Sequence, residues 1–366
     1  MKIRVLGAGW YGCVTALELI KSGHEVEIHE LADKIFAGAS GNNPARLHLG
    51  PHYPRSGITR LECQRHFKEF MDRFGDFTRA IPVNVYAVAE NDSLVDFAGF
   101  TKSLRSEIEF LTVERPAEFG LKNVEGAVLC GERHIILDDV CAHFAKELAG
   151  RVHFNQKPGK LEDSRWDWTV DATFSAYDEL SVDRFEPCLT VLLSGPTHKA
   201  VTIMDGKFGS VYPWNGDRRL CSLTHAELTP FSKSIKTWAG AKAALDGLKY
   251  FEVRQRALHM VERMAEFYPA VRDYKVEDYL FSIRAIQRSS CDSRLVDIAR
   301  VANRVLRVRA GKISGVFPAA RDIVRTVEQI SVLKPRPTVA VPKFDKQVTP
   351  RGGQVWKQAA SVFGLC

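Results

Sequence analysis

The chain has 366 residues, of which 45% are hydrophobic and 26% charged, and its formal net charge is +7. This composition is typical of a soluble globular protein, and the length is sufficient for two domains. No apolar run is long enough to span a bilayer, and the N-terminus does not resemble a signal peptide, so we predict a cytoplasmic protein. The eight cysteines are scattered without a C-x-x-C pair. This pattern predicts reduced thiols and no metal site.

The basic charge is concentrated in part at the end of the chain. Residues 331–366 hold six Lys or Arg and a single acid, Asp345, which predicts a basic C-terminal tail. A net positive charge usually reflects only a solvated surface. The alternative is contact between DNA and the basic surface and tail.

Residues 1–30 combine a short apolar strand, a glycine-rich turn, a helical pattern and a second strand. Gly7, Gly9 and Gly12 form G-x-G-x-x-G, and Glu30 ends the second strand, eighteen residues after Gly12. Gly7 permits the tight turn, Gly9 lets a pyrophosphate approach the backbone, and Gly12 lets the helix pack closely on the sheet. The helix N-terminus favours the diphosphate, and the Glu30 carboxylate can accept the ribose hydroxyls. This segment therefore predicts an adenine dinucleotide site that disfavours a 2′-phosphate.

Residues 34–56 read KIFAGASGNNPARLHLGPHYPRS, a loop rich in Gly, Pro, Asn and His. Loops held on a rigid scaffold often carry binding and catalytic groups. The pattern S-G-N-N-x-x-R-L-H-x-G-x-H-Y over 40–53, together with the fingerprint, resembles the FAD-dependent D-amino-acid-oxidase superfamily. This superfamily includes glycine oxidase, sarcosine oxidase and FAD-linked glycerol-3-phosphate dehydrogenase.

The resemblance implies FAD as cofactor and an α/β fold, in which a Rossmann-like FAD-binding domain is interleaved with an α+β substrate domain built on an antiparallel sheet. It implies contacts with the pyrophosphate and ribityl chain for Ser40, Gly41, Asn42 and Asn43. It implies positions along the flavin for Arg46, Leu47, His48 and Gly50. We expect the FAD-binding domain to comprise 1–80, 139–180 and 290–330, and the substrate domain 81–138 and 181–289.

Two later segments also resemble parts of this family. WDWTVDATF, residues 166–174, is similar to the D-x-V-x-A-T-G turn over the FAD, which implies FAD contacts for Ala172 and Thr173. Phe174 stands where that pattern has glycine, and an ordinary buried strand is the alternative. AGKISGVFPAARDIV, residues 310–324, is similar to the closing motif, whose helix N-terminus stabilises a reduced flavin. This likeness implies FAD contacts for Gly311, Lys312 and Ile313, although Lys312 could instead lie in water.

The substrate side is predicted from two further regions. Residues 187–224 alternate strand-like runs with turns, which predicts an antiparallel sheet carrying Tyr212 and Trp214. YLFSIRAIQRS, residues 279–289, places Arg284 and Arg288 on a strand where the family has an arginine that clamps the substrate carboxylate. Arg284 fits that role better, and the alternative is a surface ion pair.

The first functional hypothesis is an FAD-dependent oxidoreductase that oxidises the C–N bond of a small-molecule amine or amino acid. Arg284 would anchor the carboxylate, and His48, His52 or Tyr212 would orient the amine or accept its proton. The second hypothesis is a dehydrogenase that oxidises a C–O bond, for example of a hydroxy acid, or an enzyme for an amino-acid group on a modified base of viral DNA. The third is a non-catalytic nucleotide-binding protein.

Overall fold

The computed structural model describes residues 1–105, 107–177, 182–195, 198–216, 219–287, 296–309 and 311–332. Arg288 and nearly all of the predicted tail lie outside these ranges. The strands are β1 Lys2–Leu6, β2 Glu25–His29, β3 Arg46–Leu47, β4 Thr78–Ala80, β5 Val83–Ala89, β6 Phe110–Val113, β7 Val124–Cys130, β8 Arg133–Ile135, β9 Val152–His153, β10 Trp168–Asp171, β11 Val182–Ser194, β12 Lys199–Met204, β13 Gly209–Pro213, β14 Leu220–His225, β15 Lys275–Gln287, β16 Asp297–Ala302 and β17 Val305–Arg309. The α-helices are α1 Trp10–Lys21, α2 Gly57–Phe74, α3 Phe97–Leu104, α4 Leu137–Glu147, α5 Trp238–Asp246, α6 Tyr250–Ala265 and α7 Val316–Val332.

The first sheet has the strand order β16-β17-β10-β1-β2-β9, and all of its pairs are parallel except β16–β17. Helix α1 packs against β1, β2 and α7. Its first residue, Trp10, lies in an aromatic cluster with Phe36, Phe70 and Phe144. Parallel strands place their carboxyl ends at one edge, so the turn after β1 and the end of β2 lie side by side.

The second sheet has the order β15-β11-β14-β13-β12-β5-β7-β6. It is antiparallel apart from the β12–β5 pair, which is parallel. One face packs on α6 through the buried residues Val253, Ala257, Met260 and Met264. The opposite face looks onto a cleft. The predicted α/β fold class, with a Rossmann-like domain and a substrate domain, is confirmed, whereas the domain boundaries stay a prediction.

One local prediction differs in detail. The loop 34–56 contains the two-residue strand β3, which pairs with β8 in a three-stranded sheet with β4. Helices α5 and α6 are separated by the short segment 247–249. No helix within the described residues is long and apolar enough to cross a membrane.

Candidate active site

A cleft of about 1270 Å³ lies between the first sheet and the second. Its volume suits a large cofactor together with a small substrate. It is lined by these predicted residues: Gly7, Gly9, Glu30, Ser40, Asn42, Asn43, Arg46, His48, His52, Ala172, Arg284, Gly311, Lys312 and Ile313. Five predicted residues do not line it: Gly12, Gly41, Leu47, Gly50 and Tyr212.

Each of these five has a structural position that explains its absence from the lining. Gly50 is buried with φ +117°, and a Cβ there would lie 3.1 Å from the Arg60 Cα. A Cβ at Gly12 would lie 1.9 Å from the Gly7 carbonyl oxygen, and one at Gly41 would lie 2.2 Å from that of Phe36. Leu47 is fully buried in the core because side chains alternate along a strand and its neighbours face the cleft. Tyr212 is also fully buried. Its ring lies 4.0 Å from the guanidinium of Arg46, so it contacts a residue that lines the cleft.

The glycine turn is closely packed and borders the cleft at the start of α1. Gly7 has φ +94°, which favours glycine, and a Cβ at Gly9 would lie only 2.7 Å from the Ser40 hydroxyl oxygen. Gly9 is the N-cap and provides no side-chain cap, while the Trp10 N–H donates to Ser40 Oγ over 3.1 Å. A helix N-terminus that borders the cleft, and whose own N-cap residue provides no side-chain cap, fits a diphosphate.

Glu30 is held in a fixed orientation at the end of β2. Its Oε2 accepts a hydrogen bond of 2.6 Å from the Ala8 N–H, and its Oε1 accepts one of 2.9 Å from the Ala32 N–H. Each carboxylate oxygen can accept a second hydrogen bond, so both remain able to accept a ribose hydroxyl. These residues therefore fit the adenine-ribose part of FAD.

The turn after β10 has the backbone conformation that glycine usually adopts. Phe174 has φ 58° and the following Ser175 has φ 63°. Asp171, fully buried, accepts hydrogen bonds from the backbone and hydroxyl of Thr173 and pairs with Arg307 at 2.7 Å. This network holds the turn in place, and Ala172 and Thr173 line the cleft even though Phe174 replaces the glycine.

His48 belongs to a buried polar network that the sequence analysis did not find. Its Nδ1 lies 3.3 Å from Oε1 of Glu132, which also accepts the Leu49 N–H at 2.9 Å. Glu132 Oε2 accepts the Tyr86 hydroxyl at 2.7 Å. His52 stacks on His48 with ring centroids 5.4 Å apart.

The charges of this network follow from its burial. Burial lowers the pKa of His48, and the nearby cations Arg46 and Lys312 lower it further, against the opposing effect of Glu132. Burial alone would raise the pKa of Glu132, but His48, Tyr86 and Arg46 together hold it below its usual range. A neutral imidazole therefore lies against a carboxylate. Because an ionised carboxylate only accepts, the imidazole proton lies on Nδ1 and Nε2 can accept a proton.

The two cleft arginines are held differently. Arg284 donates to the buried carboxylate of Glu186 at 2.9 Å, and Glu186 also pairs with Arg184. Arg46 makes no ion pair with any residue that the structure describes. It donates to Thr202 Oγ1 at 3.2 Å and to Ser210 Oγ, and its buried Nε has no partner.

Lys312 approaches the cleft just before α7. Its ammonium lies 3.2 Å from the centroid of the Tyr53 ring and donates to Cys63 Sγ at 2.8 Å, so it does not lie free in water. The Tyr11 hydroxyl donates to the Lys312 carbonyl oxygen at 2.6 Å, which fixes the backbone there. Among the residues that the structure describes, no group of three or more His, Cys, Asp or Glu could hold a metal ion.

Comparison with known proteins gives concordant results. The family model DAO, FAD dependent oxidoreductase, matches residues 2–288. The chain is 30% identical over 341 residues to FAD-dependent monooxygenase FPY4 of Fusarium mangiferae, covering 89% of this chain and 91% of that protein.

Solved structures show the same fold. Glycine oxidase from Geobacillus kaustophilus has a TM-score of 0.65 and 16% identity, covering 89% of this chain and 94% of its own. L-amino acid deaminase from Proteus vulgaris, with its specific insertion sequence deleted, has a TM-score of 0.63 and 15% identity, covering 88% of this chain and 89% of its own.

Proposed function

Since this chain belongs to the DAO family of FAD-dependent oxidoreductases, we propose that it oxidises the C–N bond of a small amine or amino acid. It is an enzyme and its cofactor is FAD. The observation that supports the finer assignment is a neutral imidazole, His48, which lines the same cleft as two guanidinium groups. An amino acid brings a carboxylate that a guanidinium binds and an ammonium that must lose a proton before oxidation.

One set of residues would bind the cofactor and another would bind the substrate. Bound FAD supplies the acceptor for the electron pair of the C–N oxidation. Glu30, the start of α1 and Ser40 would hold the adenine-ribose and diphosphate parts. Arg46 or Arg284 would bind the carboxylate of the substrate.

His48 would take the proton of the ammonium on Nε2. Glu132 would keep the proton of the imidazole on Nδ1, and it would stabilise the imidazolium that forms. His52, stacked on His48, would help to orient the amine, and Tyr212 would act by supporting Arg46. The solved neighbours named glycine oxidase and L-amino acid deaminase carry the names of amino acids, which supports this substrate class.

The second candidate is oxidation of a C–O bond, and the His48–Glu132 pair favours it specifically. A hydroxyl group is a much weaker acid than an ammonium, so its oxidation needs a base backed by a carboxylate. Because the chain belongs to a family of FAD-dependent oxidoreductases, the non-catalytic hypothesis is excluded. The comparisons give no support for contact with DNA.

Anaerobic mixing of the FAD-bound enzyme with amino acids, amines and hydroxy acids tests the proposal. We expect amino acids or amines to bleach the flavin and to release one ammonia for each flavin reduced. Bleaching by hydroxy acids alone would replace the proposal with the second candidate. Bleaching by a reduced nicotinamide cofactor alone would favour a monooxygenase, the activity in the name of FPY4.

A pair of histidine variants tests the proton acceptor. His48→Asn is expected to slow anaerobic reduction about 10²- to 10⁴-fold, because general base catalysis is lost. His143→Gln, on α4 and away from the cleft lining, is the matched control and should reduce at the normal rate. Equal rates in both variants would remove His48 from the chemistry.

A further inference from the structure

Four hydroxyl side chains form a row across the face of the second sheet that looks onto the cleft. Ser210 is opposite both Thr224 on β14 and Thr202 on β12. The β11–β14 register, with Val191 opposite Leu223, places Thr190 beside Thr224. All four residues line the cleft. With neighbouring strands about 4.8 Å apart, the row is roughly 14 Å long.

The residues flanking these hydroxyl side chains lie in the apolar core on the other face. Leu189 and Val191 flank Thr190, and Val201 and Ile203 flank Thr202. Valine has nearly the shape of threonine and would fill the same positions. A buried hydroxyl without a hydrogen bond is less favourable than one in water, so a polar row on this sheet favours a polar ligand.

The row retains hydrogen-bonding capacity for such a ligand. Because Thr202 and Ser210 accept hydrogen bonds from Arg46, the hydroxyl protons are directed to other partners. Ser210 and Thr224 share one hydrogen bond of 3.1 Å, which uses a single proton of the pair. The Thr190 hydroxyl makes no hydrogen bond to any residue in the described ranges.

The two ends of the row differ in the pairing of their arginines, because Arg46 makes no ion pair with a described residue, whereas Arg284 and Arg184 both pair with Glu186. Arg46 lies at the Thr202 end. Beyond the Thr190 end, β11 continues to Glu186, which is opposite Arg284. A molecule with an acid group at one end and hydroxyl groups along its length would match the row from Arg46 toward Thr190.

We propose that this row is the subsite for the substrate side chain, and that it selects a polyhydroxylated amino acid over an amino acid with an alkyl side chain. The inference rests on the proposed function for the reacting group alone. A site that hydrogen-bonds hydroxyl groups discriminates strongly against analogues that lack them, because its own polar groups are then left unpaired.

Four six-carbon acids, all of one configuration at C2, distinguish the claim of a hydroxyl subsite from the claim of C–N oxidation. They are 2-amino-2-deoxygluconate, 2-aminohexanoate, gluconate and 2-hydroxyhexanoate. Apparent dissociation constants are measured anaerobically with the FAD-bound enzyme, from the change in flavin absorbance. We expect each hydroxylated compound to bind at least about a hundredfold more tightly than its alkyl partner. Equal binding, tighter binding of the alkyl compound, or no binding by any of the four would overturn the inference.

Reduction of the flavin by 2-amino-2-deoxygluconate, compared with its reduction by gluconate, then tests the proposed function independently. If gluconate reduces the flavin and 2-amino-2-deoxygluconate does not, C–N oxidation fails while the hydroxyl subsite stands. If 2-aminohexanoate binds and reduces as well as its hydroxylated partner, the subsite fails while C–N oxidation stands.

Isosteric variants test the row itself. Thr190→Val and Thr224→Val are each expected to reduce the preference for the hydroxylated compound about tenfold, through its dissociation constant. Thr112→Val makes the same change on β6 at an exposed position outside the cleft and should leave the preference unchanged. An unaltered preference in both cleft variants would show that these hydroxyl groups do not contact the substrate.

Discussion

Replacing Glu132 with glutamine tests whether this buried carboxylate orients His48. Glu132 is 1% exposed and accepts hydrogen bonds from Tyr86 and Leu49 beside its contact with His48. The amide that replaces one oxygen would present N–H groups to donors. Leaving a buried hydrogen-bonding group unsatisfied costs about 1–3 kcal/mol, and we expect a loss of that order in the free energy of unfolding.

The catalytic effect has a definite sign with pH. Glu132 is the group that raises the pKa of His48 against burial, Arg46 and Lys312. In Glu132→Gln the His48 pKa falls further, so the acid limb of the reduction rate moves to lower pH. The maximal rate falls about 10²- to 10⁴-fold, because the imidazole is a weaker base and its tautomer is no longer fixed.

The assay is the rate of anaerobic flavin reduction as a function of pH, with unfolding by urea measured in parallel. Tyr86→Phe keeps the charge of Glu132 and removes one hydrogen bond, so it should slow reduction only about tenfold and leave the acid limb in place. Glu107→Gln breaks an ion pair with Arg60 outside the cleft, so it should alter neither the rate of flavin reduction nor the acid limb of its pH profile. A folded Glu132→Gln enzyme with the normal rate and pH profile would refute the orienting role.

Three further outcomes are expected. Burial lowers the pKa of His134 and of His225 to about 4, so the unfolded chain binds more protons below pH 6.5 and stability falls with acid. At pH 5 each imidazole should cost about 2 kcal/mol, and equal urea midpoints at pH 7 and pH 5 would contradict this. Gly9→Ala should lower the flavin-to-protein absorbance ratio after gel filtration, because its Cβ would lie 2.7 Å from a hydroxyl oxygen; Gly131→Ala, with no atom within 4 Å, is the control. Asp171→Asn should reduce the free energy of unfolding by about 3–5 kcal/mol, because the buried Arg307 guanidinium would lose its carboxylate partner; a loss under about 1 kcal/mol would count against that pair.

The placement of the glycine turn and Glu30 beside one another at the cleft was predictable because its signal is local. Gly7, Gly9, Gly12 and Glu30 lie within one strand–helix–strand unit, and each position has a separate steric or charge requirement. The alternation in the loop 34–56 was harder to predict. The sequence does not show that a two-residue strand turns Leu47 into the core while its two neighbours line the cleft.

The part of the cleft around Glu132 and the hydroxyl row depends on contacts that no local pattern encodes. Glu132 lies in the turn between β7 and β8, where a charged residue normally indicates exposure to solvent. Glu132 is nevertheless buried, because it contacts His48, Leu49 and Tyr86, which lie far from it in the sequence. The hydroxyl row could be predicted only from the register of four strands. Period-two alternation identifies the two faces of a strand, but it does not show which face borders a cleft.

The order of strands in the first sheet has a consequence for biosynthesis. Strand β1 is enclosed by β2 on one side and by β10 on the other, and β10 in turn pairs with β17, about 300 residues after the chain begins. A nascent chain released from the ribosome before Val305–Arg309 would expose the unpaired edge of β10 and lack α7 over α1. Premature termination in that region should therefore yield an aggregation-prone fragment rather than a shorter working enzyme.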